Sequence, residues 1–590
     1  MPSRDRGGEL TGPLRRGWRF VNGAIWGVVW SSIRGQWGEG VGAPRFHTIL
    51  RGGSICDGSG AEPFVADIGI ARGRIAAIGD LSDDKARDDI DARGLTVAPG
   101  FINPLSWATS SLLVDSSAES DIRQGVTLEV FGEGVSMGPL TDAMKRDLEA
   151  QQRDYRYDIE WTTLGEYLDL VERRGVAPNI ASFVGATTVR KHELGDARRA
   201  PNQAELARMC ELVRAAMREG ALGLGSALIY APAAWADTAE LRALAAAAAE
   251  FGGAYSTHLR SESDGLLVAL AEALEIARSN RQHLELHHLK AAGRGNWPLL
   301  APALRMIEAA HADGCSVAAN MYPYDTAASG LDAAMPLWCQ EGGHREWLAR
   351  LRQPQIRARV EQESLAAGAN WENFYAAAGS ADLVRVLGLR NPALRRYTGW
   401  TIAEIARERG QRPEAAIVDL VLEDDSRVAA AYTLMSEANI ERQLTRPWVS
   451  ICSDEVALAP RGMFLSHHPH PRAYGSFARF LGRYVRDKQL LPLAEAVRRL
   501  TSLPAANLKL PDRGRLVPDA WADLVVFDPA RIADRASFAA PHQFARGMQQ
   551  VFVNGVAVLR DGVMSGARPG RVVRGPGWQQ RGMELPRAAG

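Results

Sequence analysis

The middle of the chain alternates short apolar runs with amphipathic stretches. Between about residues 100 and 505, apolar runs end in polar residues in the segments GVTLEVFGEG, NIASFVGATT, ALGLGSALIY, GAYSTHLR, LELHHLK, SVAANMYPYD and SICSDE. Stretches such as AELARMCELVRAAMREG and GLLVALAEALEIARSN separate them, and their apolar spacing predicts helices. Repeated strand–helix units predict a parallel sheet, and this many units predict an α/β fold of the (β/α)8 TIM-barrel type.

Both chain ends predict a second, smaller domain. Residues 45–99 and 506–575 contain alternating apolar runs around glycine turns, as in ADIGIARGRIAAIGDL and QQVFVNGVAVLRDGV. We predict that these two segments together form a small β-sandwich domain and that residues 100–505 form the barrel. Residues 1–44 are then a loosely ordered N-terminal extension, and residues 576–590 are a C-terminal tail.

Composition excludes several classes of partner. The chain has 69 Lys and Arg against 69 Asp and Glu, which removes a bulk electrostatic reason to bind nucleic acid or an anionic membrane. Five cysteines without a C-x-x-C pair favour reduced thiols, so we predict a cytoplasmic protein. The mildly apolar residues 18–30 are too short and too interrupted to predict a membrane span.

Two histidines lie at matching positions of neighbouring predicted strands. His258 closes GAYSTH and His288 closes LELHH, one strand–helix unit later. Because strand ends of such a barrel meet at one mouth, both imidazoles can bind a divalent metal. Either histidine alone is more often a packed residue, but the repeated position favours the metal site. His287 is expected to face the other side of its strand, because side chains alternate.

Two carboxylates follow predicted strands. Asp454 ends SICSD, where it can take a proton from water and pass it to a leaving amine, although a helix cap is an equally good interpretation. Glu133 lies between Gly132 and Gly134. That turn can present one carboxylate to a metal, and the alternative is an exposed turn residue.

These segments resemble the N-acyl-D-amino-acid deacylase (D-aminoacylase) family of the amidohydrolase superfamily. The resemblance covers about residues 45–575, and its most specific segments are LRGGSICDGSG, VAPGFIN, STHLRSESDGLL, HHLKAAG and HPHPRAYGSFARFLGRYVR. It implies a metal-dependent hydrolase that cleaves the amide bond of N-acyl amino acids, with the D configuration expected.

The chain departs from the family pattern at the first barrel strand. Leu105 and Trp107 stand where the family carries the two histidines of H-x-H, and Gly132-Glu133-Gly134 replaces its G-N-C-G segment. The resemblance therefore implies one divalent ion, most simply Zn²⁺, held by Glu133, His258 and His288. It also implies that Asp454 is the proton shuttle.

The resemblance further implies a substrate-binding set for a small N-acyl amino acid. Its members are cationic or phenolic side chains near the predicted strand ends, namely Lys290, Tyr230, Tyr322, Tyr324 and Arg260. Surface or packing roles are the ordinary alternative for each of these residue types.

Two other functions stay open. One is hydrolysis of a different small amide or cyclic amide on the same scaffold, and the other is an inactive barrel that serves as a binding or scaffold subunit. Leu105 and Trp107 favour the inactive barrel, whereas the joint retention of Glu133, His258, His288 and Asp454 favours an enzyme. The sequence leaves a homo-oligomer open as well.

Overall fold

A computed structural model describes residues 45–152, 155–366 and 371–579 of the chain. The predicted extension 1–44 and residues 580–590 of the predicted tail lie outside the described residues. Within the described ranges, every helix is too short or too polar to cross a membrane.

The described residues form strands and helices in the following order. The strands are β1 (Phe46–Ile55), β2 (Phe64–Ala71), β3 (Arg74–Gly79), β4 (Ala86–Asp91), β5 (Thr96–Pro99), β6 (Phe101–Asn103), β7 (Val126–Phe131), β8 (Asn179–Ser182), β9 (Val184–Gly185), β10 (Gly223–Ala227), β11 (Ala254–His258), β12 (Leu284–Leu286), β13 (Val317–Met321), β14 (Thr326–Gly330), β15 (Val384–Gly388), β16 (Ala429–Thr433), β17 (Val449–Ile451), β18 (Leu524–Phe527), β19 (Met548–Val553), β20 (Val556–Arg560) and β21 (Val563–Met564). The α-helices are α1 (Ser111–Val114), α2 (Glu119–Ile122), α3 (Asp142–Gln151), α4 (Leu164–Arg174), α5 (Ala186–Leu194), α6 (Gln203–Arg218), α7 (Thr238–Ala249), α8 (Leu266–Asn280), α9 (Leu300–Ala312), α10 (His344–Leu351), α11 (Pro354–Glu363), α12 (Phe374–Ala378), α13 (Ile402–Arg409), α14 (Pro413–Asp424), α15 (Glu437–Leu444), α16 (Arg472–Arg479), α17 (Leu493–Leu500) and α18 (Ser502–Asn507).

Parallel strands form the part of the fold that carries the site. Three pair in the order β6-β7-β8, and six pair in the order β17-β13-β12-β11-β10-β9. Only Phe183 separates β8 from β9 along the chain. The segments after β6 and β17 are also joined, because the amides of Trp107 and Asp454 donate to the carbonyls of Glu455 and Leu105. Carboxyl ends of parallel neighbours lie at one edge, so polar residues after these strands converge.

Strands from both chain ends pair in one nine-stranded sheet. Its order is β21-β20-β19-β18-β5-β1-β2-β3, with β4 on β1, and β18 runs antiparallel to β5 with Leu524 opposite Pro99. Successive side chains of its strands point to opposite faces, and one face buries a core that includes Ile55, Val97, Val526 and Phe552.

An antiparallel sheet of three strands is inserted between β13 and β17. It has the order β14-β16-β15, and helices α10 to α14 lie between its strands in sequence. Leu331, Ile417 and Tyr432 belong to an apolar cluster that also includes Leu105 of the segment after β6. The sequence pattern does not separate this insertion from the parallel strands, because both consist of short apolar runs and amphipathic helices. It supplies one wall of the cavity described below.

Local capping explains where several helices begin. Helices α4, α6 and α13 each begin with a capping box. The side chain of the residue before the helix accepts a hydrogen bond from the backbone amide three residues later, and the glutamate at that later position accepts one from the backbone amide of the first residue. The pairs are Thr163 with Glu166, Asn202 with Glu205 and Thr401 with Glu404. Such reciprocal bonds satisfy amides that a helix start leaves unpaired, and each cap contributes about 1 kcal/mol.

Candidate active site and metal centre

A cavity of about 680 Å³ opens where the parallel strands end. Residues that follow β7, β11, β12, β13 and β17 line one side, and the inserted sheet lines the other. This volume suits a small-molecule ligand. The lining includes seven of the residues that the sequence predicted for the site, namely Glu133, Tyr230, His258, His288, Lys290, Tyr322 and Asp454.

Glu133, His258 and His288 form a compact buried triad. The Oε1 atom of Glu133 lies 2.7 Å from Nε2 of His288 and 3.3 Å from Nδ1 of His258. One ligand atom from each residue lies within 4.8 Å of the others. Ligand atoms at about 2.0–2.1 Å from a tetrahedral zinc ion are about 3.3 Å apart. The spacing and the donor types therefore fit one divalent cation.

The turn that carries Glu133 requires glycine on both sides. Gly132 has φ +105°, and a Cβ there would lie 2.4 Å from the carbonyl oxygen of Phe183. Gly134 has φ +69°, and its Cβ would lie 2.7 Å from Cβ of Ala227. Both conformations and both contacts exclude larger residues. The two glycines thus press the turn against neighbouring strands and hold the carboxylate inside the cavity.

Mutual charge stabilisation shifts the ionisation of the triad. Burial alone would raise the pKa of Glu133, but the charge of His288 and the hydrogen bonds of both histidines hold that pKa well below its usual range. Burial would lower the pKa of His258, but the charge of Glu262 and the hydrogen bond with Glu133 raise it to about 9. The site therefore favours an anionic Glu133, and Glu133 and Glu262 together favour positive charge at His258.

Glu262 lies behind the two histidines and was not predicted from the sequence. Its carboxylate contacts Nε2 of His258 at 3.4 Å, Nδ1 of His288 at 3.1 Å and Nζ of Lys290 at 2.6 Å. All four side chains are buried. Glu262 lies beside the second nitrogen of both imidazoles, a position from which carboxylates usually support metal-binding histidines, and Nζ of Lys290 lies 2.8 Å from Nδ1 of His288. It also pairs with the charge of Lys290.

Asp454 is held at the cavity wall by two contacts. Its Oδ1 accepts a hydrogen bond of 3.2 Å from the Trp107 indole, and its Oδ2 lies 2.7 Å from Nη1 of Arg472. Burial raises the pKa of Asp454 above its ordinary value, although the charge of Arg472 opposes that effect. A carboxyl group with a raised pKa is suited to accept and return a proton.

Two tyrosine rings define two walls of the cavity. The Tyr322 ring lies between two cations, with Cζ of Arg472 4.4 Å and Nζ of Lys290 5.8 Å from its centroid. The Tyr230 ring stands edge-on to His258 at 5.7 Å between centroids, and its hydroxyl bonds Ser329 at 2.9 Å. We name these the Tyr322 wall and the Tyr230 wall.

Comparison with known proteins places the chain in a family. The D-aminoacylase of Alcaligenes xylosoxydans xylosoxydans is 34% identical over 532 residues, which are 90% of this chain and 97% of the relative. This chain belongs to the D-aminoacylase family. The amidohydrolase family profile also matches residues 460–559.

Solved structures of the D-aminoacylase family have the same fold. The N-acyl-D-glutamate deacylase of Bordetella bronchiseptica, complexed with zinc and a phosphonate that mimics the tetrahedral intermediate, is 30% identical with a TM-score of 0.74. The match covers 90% of this chain and 99% of that one. A D-aminoacylase studied for one-metal activation and second-metal attenuation of its binuclear centre is 31% identical, with a TM-score of 0.75 and coverage of 90% and 100%.

Two residues of the predicted substrate-binding set do not line the cavity of this D-aminoacylase-family chain. Arg260 pairs with Glu272 at 2.8 Å and donates to the carbonyls of Ala234 and Ala236, so its guanidinium is used within the scaffold. The Tyr324 ring lies under Arg479, with Cζ 4.7 Å from its centroid. Neither position supports a contact with substrate, and we remove both residues from the set.

The expectation for His287 also needs correction. Its ring lies 6.4 Å from that of His288, and the Asn320 amide contacts both residues, so His287 does not point away from the site. His288 has φ +33°, which breaks the strand alternation on which the expectation rested. The loop histidines His467, His468 and His470 line the cavity.

The residues that sequence reasoning missed are those that act through another side chain. Glu262 follows His258 by four residues in a loop, and Arg472 lies in the segment HPHPRAYGSF that carries part of the family resemblance. The sequence shows that Glu262 and Arg472 lie near predicted site segments, but it does not show which side chains they contact. Only the fold brings Arg472 and Trp107 to Asp454, because 347 residues separate the indole from that carboxylate in sequence.

Proposed function

We propose that this protein is a metal-dependent hydrolase of the amide bond in N-acyl-D-amino acids. One observation carries the proposal: a buried Glu133–His258–His288 triad that fits a cation shares a small-molecule cavity with the buried carboxylate Asp454. The relatives named above are deacylases of N-acyl-D-amino acids or D-aminoacylases, and the alignment spans 90% of the chain. Similarity over that length favours the same reaction here.

Glu133, His258 and His288 would hold one divalent ion, and we propose zinc. Two imidazoles and a carboxylate form a common catalytic zinc shell. A cation bound there would polarise the amide carbonyl and lower the pKa of water. The buried Glu262 would support that ion from behind the histidines, since its carboxylate lies within 3.4 Å of the second ring nitrogen of His258 and His288.

Asp454 moves the proton in the proposed reaction. Its carboxylate takes a proton from the attacking water and donates it to the amide nitrogen as the carbon–nitrogen bond breaks. Trp107 and Arg472 hold its two oxygens from different sides, so the group enters the reaction already oriented.

The Tyr322 wall is suited to the free α-carboxylate of the substrate. Lys290 and Arg472 flank one phenol ring there, and a carboxylate needs such charge-assisted donors. On the opposite side, Tyr230 lies against His258 and limits the space beside the reacting carbonyl. Lys290, Tyr230 and Tyr322 thus remain the substrate-binding residues that we propose.

A single ion is favoured over a pair at this site. Leu105 is buried in an apolar cluster and Trp107 donates its indole hydrogen bond to Asp454, so neither offers a metal ligand. The related D-aminoacylase has a binuclear centre in which the second metal attenuates activity. We propose that this chain works with one metal and lacks that attenuation.

The finer architecture and the cellular setting are also part of the proposal. The order of the two parallel sheets and the hydrogen bonds between residues 105–107 and 454–455 support a closed (β/α)8 barrel. The nine-stranded sheet of both chain ends is proposed as the small β domain. We keep a small-molecule substrate, no nucleic-acid partner and a cytoplasmic location as predictions.

The decisive experiment measures free amine and bound metal together. Purified protein, before and after chelation and with zinc restored, is incubated with paired N-acetyl-D- and N-acetyl-L-amino acids. We expect release from D isomers that chelation abolishes and zinc restores, with about one ion per chain. His344, a partly exposed histidine paired with Asp425, offers the control variant His344→Ala beside His258→Ala.

Other outcomes decide against parts of the proposal. Release from L isomers alone would contradict the D configuration. Bound metal without release from any N-acyl amino acid would favour hydrolysis of another amide, and absence of both metal and activity would favour the inactive scaffold.

A further inference from the structure

The cavity carries a third cation on the Tyr230 wall. Arg427 lines the cavity beside β16 and exposes 51% of its side-chain surface. Its Cζ lies 5.0 Å from the centroid of the Tyr230 ring, whose edge in turn meets His258. Arg427 is therefore one aromatic ring away from the metal-binding triad, on the Tyr230 wall.

Arg427 differs from the two other cavity cations in the position of its carboxylate partner, which lies at Nε rather than at a terminal nitrogen. Lys290 gives its ammonium to Glu262 at 2.6 Å, and a terminal nitrogen of Arg472 lies 2.7 Å from Asp454. Arg427 donates to Asp332 through Nε alone, at 2.7 Å. Among the described residues, neither terminal nitrogen of Arg427 has a hydrogen-bond partner. Those two nitrogens form the planar fork that binds a carboxylate by two bonds.

The surroundings of Arg427 leave room for such a carboxylate. The neighbouring lining comes from Ala327, Ala328, Ser329 and Gly330 of β14 and from Ala429 of β16, all of them small. The acidic residues among the described lining of the cavity are Glu133, Glu262, Asp454 and Glu455, and they follow the parallel strands rather than the inserted sheet. A ligand anion beside Arg427 would meet small side chains and one guanidinium, which is also paired at Nε with Asp332.

We infer that Arg427 binds the side-chain carboxylate of the substrate, so that the preferred substrates are N-acyl derivatives of acidic D-amino acids. The inference rests on the proposed function. A dicarboxylate substrate places its α-carboxylate at the Tyr322 wall and its second carboxylate at the Tyr230 wall, with the amide between them at the triad. Asp332 holds the Arg427 side chain in place without occupying its fork. An aliphatic substrate side chain would instead strip water from the guanidinium without replacing its hydrogen bonds.

The test compares three substrates that differ only in the second group. Zinc-loaded wild-type protein is assayed with N-acetyl-D-glutamate, N-acetyl-D-glutamine and N-acetyl-D-leucine, and kcat and KM are separated. We expect N-acetyl-D-glutamate to have the highest kcat/KM. Arg427→Met should lower the ratio of kcat/KM for N-acetyl-D-glutamate to that for N-acetyl-D-glutamine about 30-fold, because it removes a charge-assisted pair. The loss should fall mainly on KM. Arg427→Lys keeps the charge without the fork and should give an intermediate ratio.

Matched variants separate this role from stability. Arg390→Met removes another arginine near the inserted sheet, which pairs with Asp425 and lies outside the cavity, and should leave the ratio unchanged. Because Arg427→Met leaves the buried Asp332 unpaired, the double variant Arg427→Met with Asp332→Asn is assayed beside it. Both should show the same lost preference for glutamate.

Contrary results are distinct from failure of the proposed function. Hydrolysis of all three substrates with no preference for glutamate, or an equal loss on all three in Arg427→Met, would overturn the inference and leave the proposed function standing. If no substrate releases amine, calorimetry with N-acetyl-D-glutamate and N-acetyl-D-glutamine still decides it. Tighter binding of glutamate that disappears in Arg427→Met supports the inference, and equal binding overturns it.

Discussion

Two groups of strand ends at the same cavity have opposite chemistry. After β7, β11 and β12 the chain presents Glu133, His258 and His288, three buried groups whose ligand atoms converge. After β6 it presents Leu105 and Trp107, an apolar residue and an indole donor. We call these the ligand side and the first-strand side. The difference teaches that the ligand side forms a candidate metal site by itself although the first-strand side offers no ligand. The two sides share Asp454, which lines the cavity and accepts a hydrogen bond from Trp107.

The largest expected effect comes from breaking the ligand side. Glu133→Ala or His258→Ala removes one of three ligands, and we expect bound zinc to fall from about one ion per chain to nearly none. Loss of metal should lower kcat/KM at least about 10³-fold, since a bound cation contributes several kcal/mol to the barrier. Metal analysis and amine release measure both. Retained zinc in either variant would contradict the assigned ligand set.

Changing the shared residue should stop catalysis without removing the metal. Asp454→Asn keeps the shape of the side chain but takes away the proton acceptor, and we expect kcat to fall about 10²–10⁴-fold. Zinc content should stay at the wild-type value. The exposed Asp425, changed to Asn, is the matched control. Nearly normal kcat in Asp454→Asn would remove Asp454 from the proton-transfer role.

A smaller change sharpens the role of the first-strand side. Trp107→Phe keeps an aromatic ring but loses the 3.2 Å hydrogen bond to Asp454. Since a hydrogen bond to a charged group contributes about 1.5 kcal/mol or more, we expect kcat to fall about tenfold. KM should change less, because Trp107 acts by positioning Asp454. An effect on KM alone would show that Trp107 contacts substrate instead.

The smallest effect concerns stability beneath the first-strand side. Burial raises the pKa of Glu129 on β7 to about 7, although hydrogen bonds from Ser106 and Asn103 oppose it. The folded state therefore holds this proton more tightly than the unfolded chain, whose carboxyl has the ordinary pKa of 4.5. Its contribution to stability is present below about pH 4.5 and is lost as pH rises through about 7.

Glu129→Gln removes that pH dependence because the amide carries no charge. We expect the free energy of unfolding of the variant, minus that of the wild type, to rise by about 2 kcal/mol from pH 5 to pH 8. Denaturant unfolding at both pH values measures the gain. Glu160→Gln changes a glutamate that is 62% exposed and serves as the control. A pH-independent difference would contradict the protonated state of Glu129.

The sequence predicts the α/β fold class and part of the candidate site. The strand ends at His258, His288 and Asp454 follow from a repeated pattern, and parallel strands place such ends at one edge whatever the details of packing. The inserted sheet was not predicted, because its apolar runs do not differ in kind from those of the parallel strands. Arg260 and Tyr324 were assigned to the substrate, since a charge or a phenol near a strand end does not reveal which way it points.

What the sequence alone determined is the set of chemical groups and the order in which strands present them. Alternation, glycine turns and helix caps act over a few residues, so they can be read without a fold. What only the tertiary structure decided is which groups meet: Glu262 with Lys290, Trp107 and Arg472 with Asp454, and Arg427 with the Tyr230 ring. Such contacts form when packing buries distant segments together. In the buried site the pKa of each group then depends on its charged partners as well as on its residue type.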